Sequence, residues 1–389
     1  MQSLLILGRQ PAFGLAELES LYGADSIRRV GNYAALLDID PTEVRFGRLG
    51  GSIKLAKVLA SLDSTDWQKL IDYIAREIPK HLDRLPEGKI KLGLSAYGLS
   101  INAAKVNASA LTVKKTIKSS GRSVRVIPNN EPALNSAQVL NNKLVGELGM
   151  ELLLVKNGNS TILAQTVAEQ DIDAYAARDH GRPKRDSKVG MLPPKLAQVI
   201  INLAKPGDNS AVLDPFCGTG VVLQEAQLMG YEAYGTDLEP RMIEYSKDNI
   251  SWLQQTFRPT GQISCIEQAD ATSTKWSRPF SAIACETYLG RPFSALPKPD
   301  VLQEVMQDVS YIHKKFLQNV ALQTQPGFRM CIAVPAWKTP HGFKHLKMLD
   351  SLEEIGYTRL KFVHAAGEDL IYHRPGQVVA RELVVLQRK

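Results

Sequence analysis

A doubly wound, mostly parallel α/β sheet in the back half, behind a mixed α+β front half, is the architecture this 389-residue sequence predicts. Three observations carry that expectation. The apolar run Ala211-Val212-Leu213 leads into Asp214-Pro215-Phe216-Cys217-Gly218-Thr219-Gly220 and then into the helical pattern Val221 to Ala226, which reads as strand, glycine turn and helix. A second alternating stretch, Tyr231 to Thr236, closes on Asp237. From about Gly190 onward, short strand-like runs alternate with helical ones, as a parallel sheet with crossover helices requires.

The elements follow in order. Residues 1–60 hold a strand at Leu4 to Leu7, a helix around Leu15 to Leu18 and a strand at Tyr33 to Ile39, a small α/β unit. Residues 61–170 change to α+β: a helix marked by Leu70, Ile71, Ile74 and Ile78, a strand Lys89 to Ser95, a helix Ala103 to Lys118, and short strands near Val124 to Ile127 and Leu152 to Val155. Residues 171–189 are polar and charged around Gly181 and Pro183, with Arg178, Arg182, Lys184, Arg185 and Lys188, the pattern of a connecting arm. Residues 190–389 form the last unit. It includes a helix near Pro240, a strand Ile263 to Ile266, a long helix over 299–322, and a closing antiparallel pair, Leu370 to Tyr372 with Val378 to Leu386. No internal repeat is visible.

A chain of this length exceeds one ordinary core, and 44% hydrophobic with 22% charged residues excludes a disordered polypeptide. No apolar run reaches 18 residues and the start lacks a basic n-region and reads as a first strand, so no membrane segment is expected; the absence of a disulfide framework among the cysteines fits a reducing cytoplasm. The four cysteines, Cys217, Cys265, Cys285 and Cys331, show no Cys-x-x-Cys spacing, which argues against a disulfide framework or a zinc ribbon; no metal is expected. The net charge of +7 is uneven: residues 1–170 carry 21 Lys/Arg against 16 Asp/Glu, and 190–389 carry 21 against 20. The front half should therefore face a polyanion.

At the glycine turn, Gly218 and Gly220 let the backbone bend sharply and approach a ligand where a side chain would collide. Asp214 at its head would repel a pyrophosphate but attract a sulfonium or ammonium, and neither G-x-G-x-x-G nor the Walker pattern is present. The expected cofactor is S-adenosylmethionine. The turn from Asp214 through Phe216, Cys217, Gly218, Thr219 and Gly220 would cradle it, Asp237 with its neighbour Leu238 would take the ribose, and Asp270 would accept from the adenine amino group or cap the following segment. Reactants in such sheets meet beyond the C-terminal ends of the central strands. The fourth strand ends there in Cys285-Glu286-Thr287-Tyr288-Leu289-Gly290.

Taken together, Gly190-Met191-Leu192-Pro193-Pro194-Lys195-Leu196-Ala197, the Asp214 to Gly220 motif, the acid-ended second strand and the basic α+β front half resemble the THUMP-domain tRNA guanine-N2 methyltransferases of the guanosine-10 type. The resemblance covers nearly the whole chain. It implies a class I Rossmann-like methyltransferase domain at 190–389, a ferredoxin-like domain at 1–60 and a THUMP RNA-binding domain at 61–170. The family has Asp-Pro-Pro-Tyr-Gly at the fourth strand, which lays Glu286 on the Asp, Thr287 and Tyr288 on the prolines, and Leu289 on the Tyr. The carboxylate's implied role is to accept N–H bonds of an exocyclic amine and aim its nitrogen. Glu286 keeps the charge and adds a methylene, the rigid Pro-Pro is lost, and Tyr288 could supply the stacking ring.

The region similar to THUMP contains an acid-free stretch, Asn102 to Asn130, with Lys105, Lys114, Lys115, Lys118, Arg122 and Arg125. Lys114 and Lys118 share a helix face and could meet successive phosphates of tRNA. The basic arm could continue that track, or its arginines could pair with Asp179 and Asp186. Three further readings stay open: methylation of another exocyclic amine in ribosomal RNA or DNA, a tRNA-binding protein that has lost turnover, and attack by Cys217 or Cys285 on a pyrimidine. A small activating subunit is a partner the resemblance raises and the residues leave open.

Overall fold

The computed structural model describes residues 2–186, 191–207, 210–293 and 295–389. Lys188 and Gly190 lie outside the described residues. Along the chain run β1 (Ser3–Leu7), α1 (Pro11–Tyr22), β2 (Ile27–Val30), β3 (Ala34–Leu37), β4 (Ser52–Leu62), α2 (Trp67–Glu77), β5 (Ile90–Tyr97), α3 (Ala103–Ser119), β6 (Val124–Val126), α4 (Ser136–Asn141), β7 (Gly149–Asn157), β8 (Ser160–Glu169) and α5 (Ile172–His180). Then follow α6 (Pro194–Ala204), β9 (Ala211–Asp214), α7 (Val221–Leu228), β10 (Glu232–Asp237), α8 (Pro240–Phe257), β11 (Ile263–Gln268), β12 (Ala282–Glu286), α9 (Pro299–Ala321), β13 (Arg329–Thr339), β14 (Gly342–Lys344), α10 (Leu352–Ile355), β15 (Tyr357–Arg359), β16 (Ile371–Tyr372) and β17 (Val379–Arg388). No helix among the described residues is long and apolar enough to cross a membrane. The chain divides into two compact units. One comprises Met1–Leu15, Asp25–Gly47 and Gly51–Ile172, the other Ala16–Ala24, Arg48–Gly50 and Asp173–Lys389.

In the first unit the strands form one sheet in the order β2-β3-β1-β4-β8-β7-β5-β6. All pairs are antiparallel except β5 with β6 and with β7. Helix α3 buries Val106, Ala110, Val113 and Ile117, a spacing that keeps one stripe on the sheet, and it starts where Asn102 accepts the Lys105 amide at 2.9 Å. Its stripe packs with Leu70, Ile71 and Ile74 of α2 against Ile90, Leu92 and Leu94 of β5.

Strands β4 and β8 are absent from the sequence reading, and Lys54 explains part of the miss. A lysine in a strand is read as solvated, yet Lys54 is buried: its Nζ donates to Glu151 Oε1 at 2.5 Å and to the Leu134 carbonyl at 2.9 Å, and lies 3.7 Å from Glu169 Oε2. Glu151 also accepts from Ser95 Oγ and Thr166 Oγ1, each at 2.6 Å. Glu169 is less well served. Burial raises its pKa to about 7 against the pull of Lys54.

The second unit follows the expected doubly wound plan. Its sheet runs β11-β10-β9-β12-β13-β17-β15, with β14 on β13 and β16 on β17. The first five strands of that series are parallel, and β17 is antiparallel to β13. Chain order reverses between β9 and β12, which is where a ligand crevice opens in such sheets. The core joins Leu213, Ile283, Cys285, Phe316, Trp337 and Tyr357. Two short segments from the front of the chain complete it: Glu17 Oε1 accepts from the Gly50 amide and from Asn202 Nδ2, both at 2.8 Å, and Arg48 donates to Asn202 Oδ1 and to the Tyr231 hydroxyl. The first part of the arm is α5, where buried Arg178 pairs with Glu225 at 2.7 Å. Arg182 lies 3.8 Å from Asp179 within the arm, whereas Asp186 meets Arg241 at 3.2 Å and Lys184 lies 3.4 Å from Asp248, so most of the arm's described ion pairs reach into α7 and α8.

Because the folded pKa of Glu169 lies above its ordinary value, folding favours the protonated acid, and stability is lost as pH rises through about 7. Glu169→Gln cannot ionise; it is expected to exceed the native protein by on the order of 2 kcal/mol at about pH 8 and to match it near about pH 5 in denaturant unfolding. Identical pH slopes for the two would refute this.

Candidate active site

Register places three carboxylates on one face of the second sheet. Asp214 of β9 lies opposite Gly235 of β10, so Asp237, two residues on, points to the same side. Val212 and Leu213 lie opposite Ala282 and Ile283 of β12, which gives Glu286 the same parity as Asp214. These acids sit at the C-terminal tips of adjacent parallel strands and line one cavity of about 940 Å³.

The glycine turn folds over those tips. Gly218 and Gly220 take φ of 51° and 83°, and a side chain at Gly220 would sit 2.8 Å from Ser246 Oγ. The Phe216 amide donates to Asp214 Oδ1 at 3.1 Å, while the Gly218 and Glu239 amides donate to the two oxygens of Asp237 at 2.8 and 3.0 Å. Burial pushes the Asp214 carboxyl well above its usual range, and the charges of Asp237 and Glu286 push it further. Asp237 is also raised by burial, held back by the Glu239 and Gly218 amides. Phe216 is wedged edge-on against Phe316 of α9 at 5.1 Å. Asp214, Phe216, Cys217, Gly218, Thr219, Asp237, Leu238 and Asp270 all line the cavity; Gly220 instead caps α7 from behind it. Asp270 Oδ1 accepts from the Thr272 amide at 2.8 Å and hydroxyl at 2.7 Å, so it caps that turn from the cavity wall.

At the fourth strand the three sequence candidates part company. Glu286 faces the cavity, and its Oε1 accepts from Nε of Arg381 on β17. Burial raises the Glu286 pKa, and Arg381 and then Arg374 draw it down. Thr287 is buried and turned to structure: its amide donates to the Ala333 carbonyl at 3.0 Å, and its Oγ1 lies 2.6 Å from His313 Nε2. His313 Nδ1 sits 2.7 Å from the Val309 carbonyl, which can only accept; Nδ1 therefore carries the proton and Nε2 accepts from Thr287. Tyr288 is 44% exposed on the cavity wall, with Tyr311 and Lys315 of α9 on the same wall.

The cysteine alternative fails on burial. Cys285 is inside the core and Cys217 is buried under the turn, and desolvation holds both thiols well above their usual pKa. Arg381 and His313 escaped the sequence reading. The signal for Arg381 was an arginine and a glutamate interrupting the apolar run Val378 to Leu386; His313 carried none, being one polar residue in a long amphipathic helix.

The wall fits the chemistry of S-adenosylmethionine. Asp186, Asp214, Asp237, Glu239, Asp270 and Glu286 outnumber Arg241 and Lys315, an acidic set suited to a cationic, hydroxyl-bearing ligand and hostile to polyphosphate. Asp237 and Asp270 line the cavity with carboxylates of the kind that accept from hydroxyl and amino groups, and Gly218 at the turn leaves room for close backbone approach.

In the first unit, Lys105, Lys115 and Lys118 are exposed on α3, Lys114 is half-buried, and Arg125 is exposed on β6. Arg122 is committed elsewhere: its guanidinium donates to the carbonyls of Leu82, Leu85 and Pro86.

Residues 182–339 match the family model described as RMKL-like, methyltransferase domain. The tRNA (guanine(10)-N2)-dimethyltransferase of Methanothermobacter thermautotrophicus is 43% identical over 74 residues, 19% of this chain and 21% of that protein. Its counterpart in Pyrococcus abyssi is 35% identical over 169 residues, 43% of each chain. The chain thus spans less than half the length of these relatives. TrmN from Thermus thermophilus aligns over 100% of both chains with a TM-score of 0.53 at 17% identity, a likeness of fold.

His313 has its pKa lowered to about 4 by burial, so the unfolded chain takes up a proton that the folded one refuses, and stability is lost as pH falls from about 6.5 toward 4. His313→Gln should flatten that acid slope by up to about 3 kcal/mol in denaturant titrations; parallel slopes would show that the ring does not titrate this way.

Proposed function

From the match of residues 182–339 to the family model described as RMKL-like, methyltransferase domain, we propose that this chain is an S-adenosylmethionine-dependent methyltransferase acting on the exocyclic N2 of guanosine in tRNA. The observation that carries the reading is the trio Asp214, Asp237 and Glu286 on adjacent strand tips around one acidic cavity. The sequence kinship with the tRNA (guanine(10)-N2)-dimethyltransferases supports the choice of substrate.

When bound, S-adenosylmethionine supplies a methyl carbon on a sulfonium, so that an attacking nitrogen takes the carbon while the breaking C–S bond returns its electron pair to sulfur. The chain's residues prepare that encounter. Asp237 and Asp270 hold the nucleoside end, and Asp214 places negative potential beneath the cationic end. Glu286 accepts an N–H of the amine, whose lone pair is otherwise delocalised into the ring, and so favours a pyramidal nitrogen aimed at the carbon. Tyr288, on the rim, offers a face on which the base can stack. Thr287 does no chemistry in this scheme. Through His313 it fixes the loop that carries its two neighbours.

Residues 1–60 and 61–170 take the ferredoxin-like and THUMP roles in this reading, and Lys105, Lys114, Lys115, Lys118 and Arg125 meet phosphates. Contacts of that kind release counterions, so tRNA affinity should fall steeply with salt. The cellular setting that follows is the cytoplasm.

Incubation with labelled S-adenosylmethionine and tRNA, followed by nucleoside analysis, should yield N2-methylated guanosine; label only in DNA or ribosomal RNA, or none at all, would replace this reading. Glu286→Gln is expected to slow transfer by about a hundredfold or more with cofactor affinity nearly unchanged. Asp237→Ala should weaken cofactor binding by roughly tenfold or more in calorimetry, on the scale of one lost charge-assisted hydrogen bond.

A further inference from the structure

We propose that Arg381 is a positioning residue for methyl transfer, which pins one carboxylate oxygen of Glu286 and leaves the other to accept the N–H of the incoming amine. This rests on the functional reading above. Arg381 stands beside Glu382 at the one charged step in the apolar run of β17 from Val379 to Leu386 and is 3% exposed. A guanidinium buried so far is strongly unfavourable unless an anion and hydrogen bonds meet it.

The anion that meets it comes from two strands away, and the sheet is built to allow this. Glu286 lies opposite Ala333 of β13, and Arg381 lies opposite Pro335, two residues further along the same strand. The two side chains therefore share a face and meet diagonally across β13. The last bond from the β12 side is the Thr287 amide to the Ala333 carbonyl. Residue 335 has the same parity, so its backbone edge faces the space where β12 has ended; a proline there forfeits no ladder bond.

The pairing gives a reason for the departure at position 286. An aspartate would stop one carbon bond, about 1.5 Å, short of the guanidinium. Glu286 spans the distance and spends Oε1 on Arg381 Nε, while Oε2 takes no hydrogen bond from any described residue. In transfer, the nitrogen bonds to the methyl carbon, the C–S electron pair stays on sulfur, and the surplus proton leaves along the N–H held by Glu286 to solvent.

With Oε1 held by Arg381 Nε, protonation of Glu286 falls on Oε2 and turns the oxygen offered to the amine into a donor and a weaker acceptor, so its ionisation governs the acid limb of activity. The charged groups facing it are Arg381 from β17, Arg374 from the turn before β17, and Asp214 from β9; Lys315 of α9 shares the cavity wall. Burial raises its pKa and the two arginines lower it, so removing the Arg381 charge must raise it further.

The test is the pH profile of tRNA methylation by the full chain carrying Arg381→Gln or Arg381→Lys, with S-adenosylhomocysteine affinity measured alongside. Arg381→Gln should lose up to about tenfold in kcat near neutral pH and recover as pH rises, its acid limb displaced upward by about one unit, with affinity within about threefold. Arg381→Lys should return the limb most of the way. Glu286→Asp, which keeps Arg381 and the fold but cannot reach it, should show the same displacement. An acid limb unmoved in both Arg381→Gln and Glu286→Asp, beside an active native enzyme, overturns the proposal alone. A native protein inactive at every pH overturns the functional reading instead.

Discussion

Crowding of buried carboxylates is the constraint on which the second unit turns. Asp214, Asp237 and Glu286 project from neighbouring strand tips onto one face, burial raises the cost of ionising each, and the charges of Asp237 and Glu286 raise that of Asp214 further. The chain offsets that cost with specific groups: amides of the glycine turn for Asp214 and Asp237, and guanidinium groups for Glu286. What is left is a cavity of negative potential, which selects a cationic ligand. In the proposed reaction binding and chemistry draw on one source, since the charge that would attract a sulfonium would also supply an acceptor for the amine.

Rigidity at the fourth-strand tip comes from groups outside the reaction. The Thr287–His313–Val309 chain of hydrogen bonds ties the tip to α9, and Phe216 ties the glycine turn to the same helix through Phe316. The two halves of the cavity are thereby referred to one helix. The usual Pro-Pro of such a tip stiffens the backbone locally. In this chain a buried hydrogen-bonded histidine, neutral at physiological pH, provides the equivalent constraint.

The first unit solves a different problem. Its sheet carries a buried lysine between two glutamates, with one carboxylate fully hydrogen-bonded and the other held near neutrality by desolvation. Helix α3 exposes Lys105, Lys115 and Lys118, because its apolar stripe fixes which of its lysines face water. Arg122 shows that a basic residue in such a stretch can serve the fold, as it closes the carbonyls after Leu82.

Where physical signals are local, the amino-acid sequence was decisive by itself. The strand–turn–helix at Asp214 to Ala226, the acid closing β10, the helices α3, α8 and α9 and the closing antiparallel pair follow from periodicity and turn chemistry carried within a few residues. Acidic character around the cofactor was legible for the same reason. Tertiary structure decided whatever depends on residues far apart in the chain: that Lys54 is a core residue, that Thr287 belongs to His313, that Asp270 caps while facing the cavity, and that Arg381 answers Glu286. Register across β12, β13 and β17 creates that last contact, and register is a property of paired strands, which no single segment encodes.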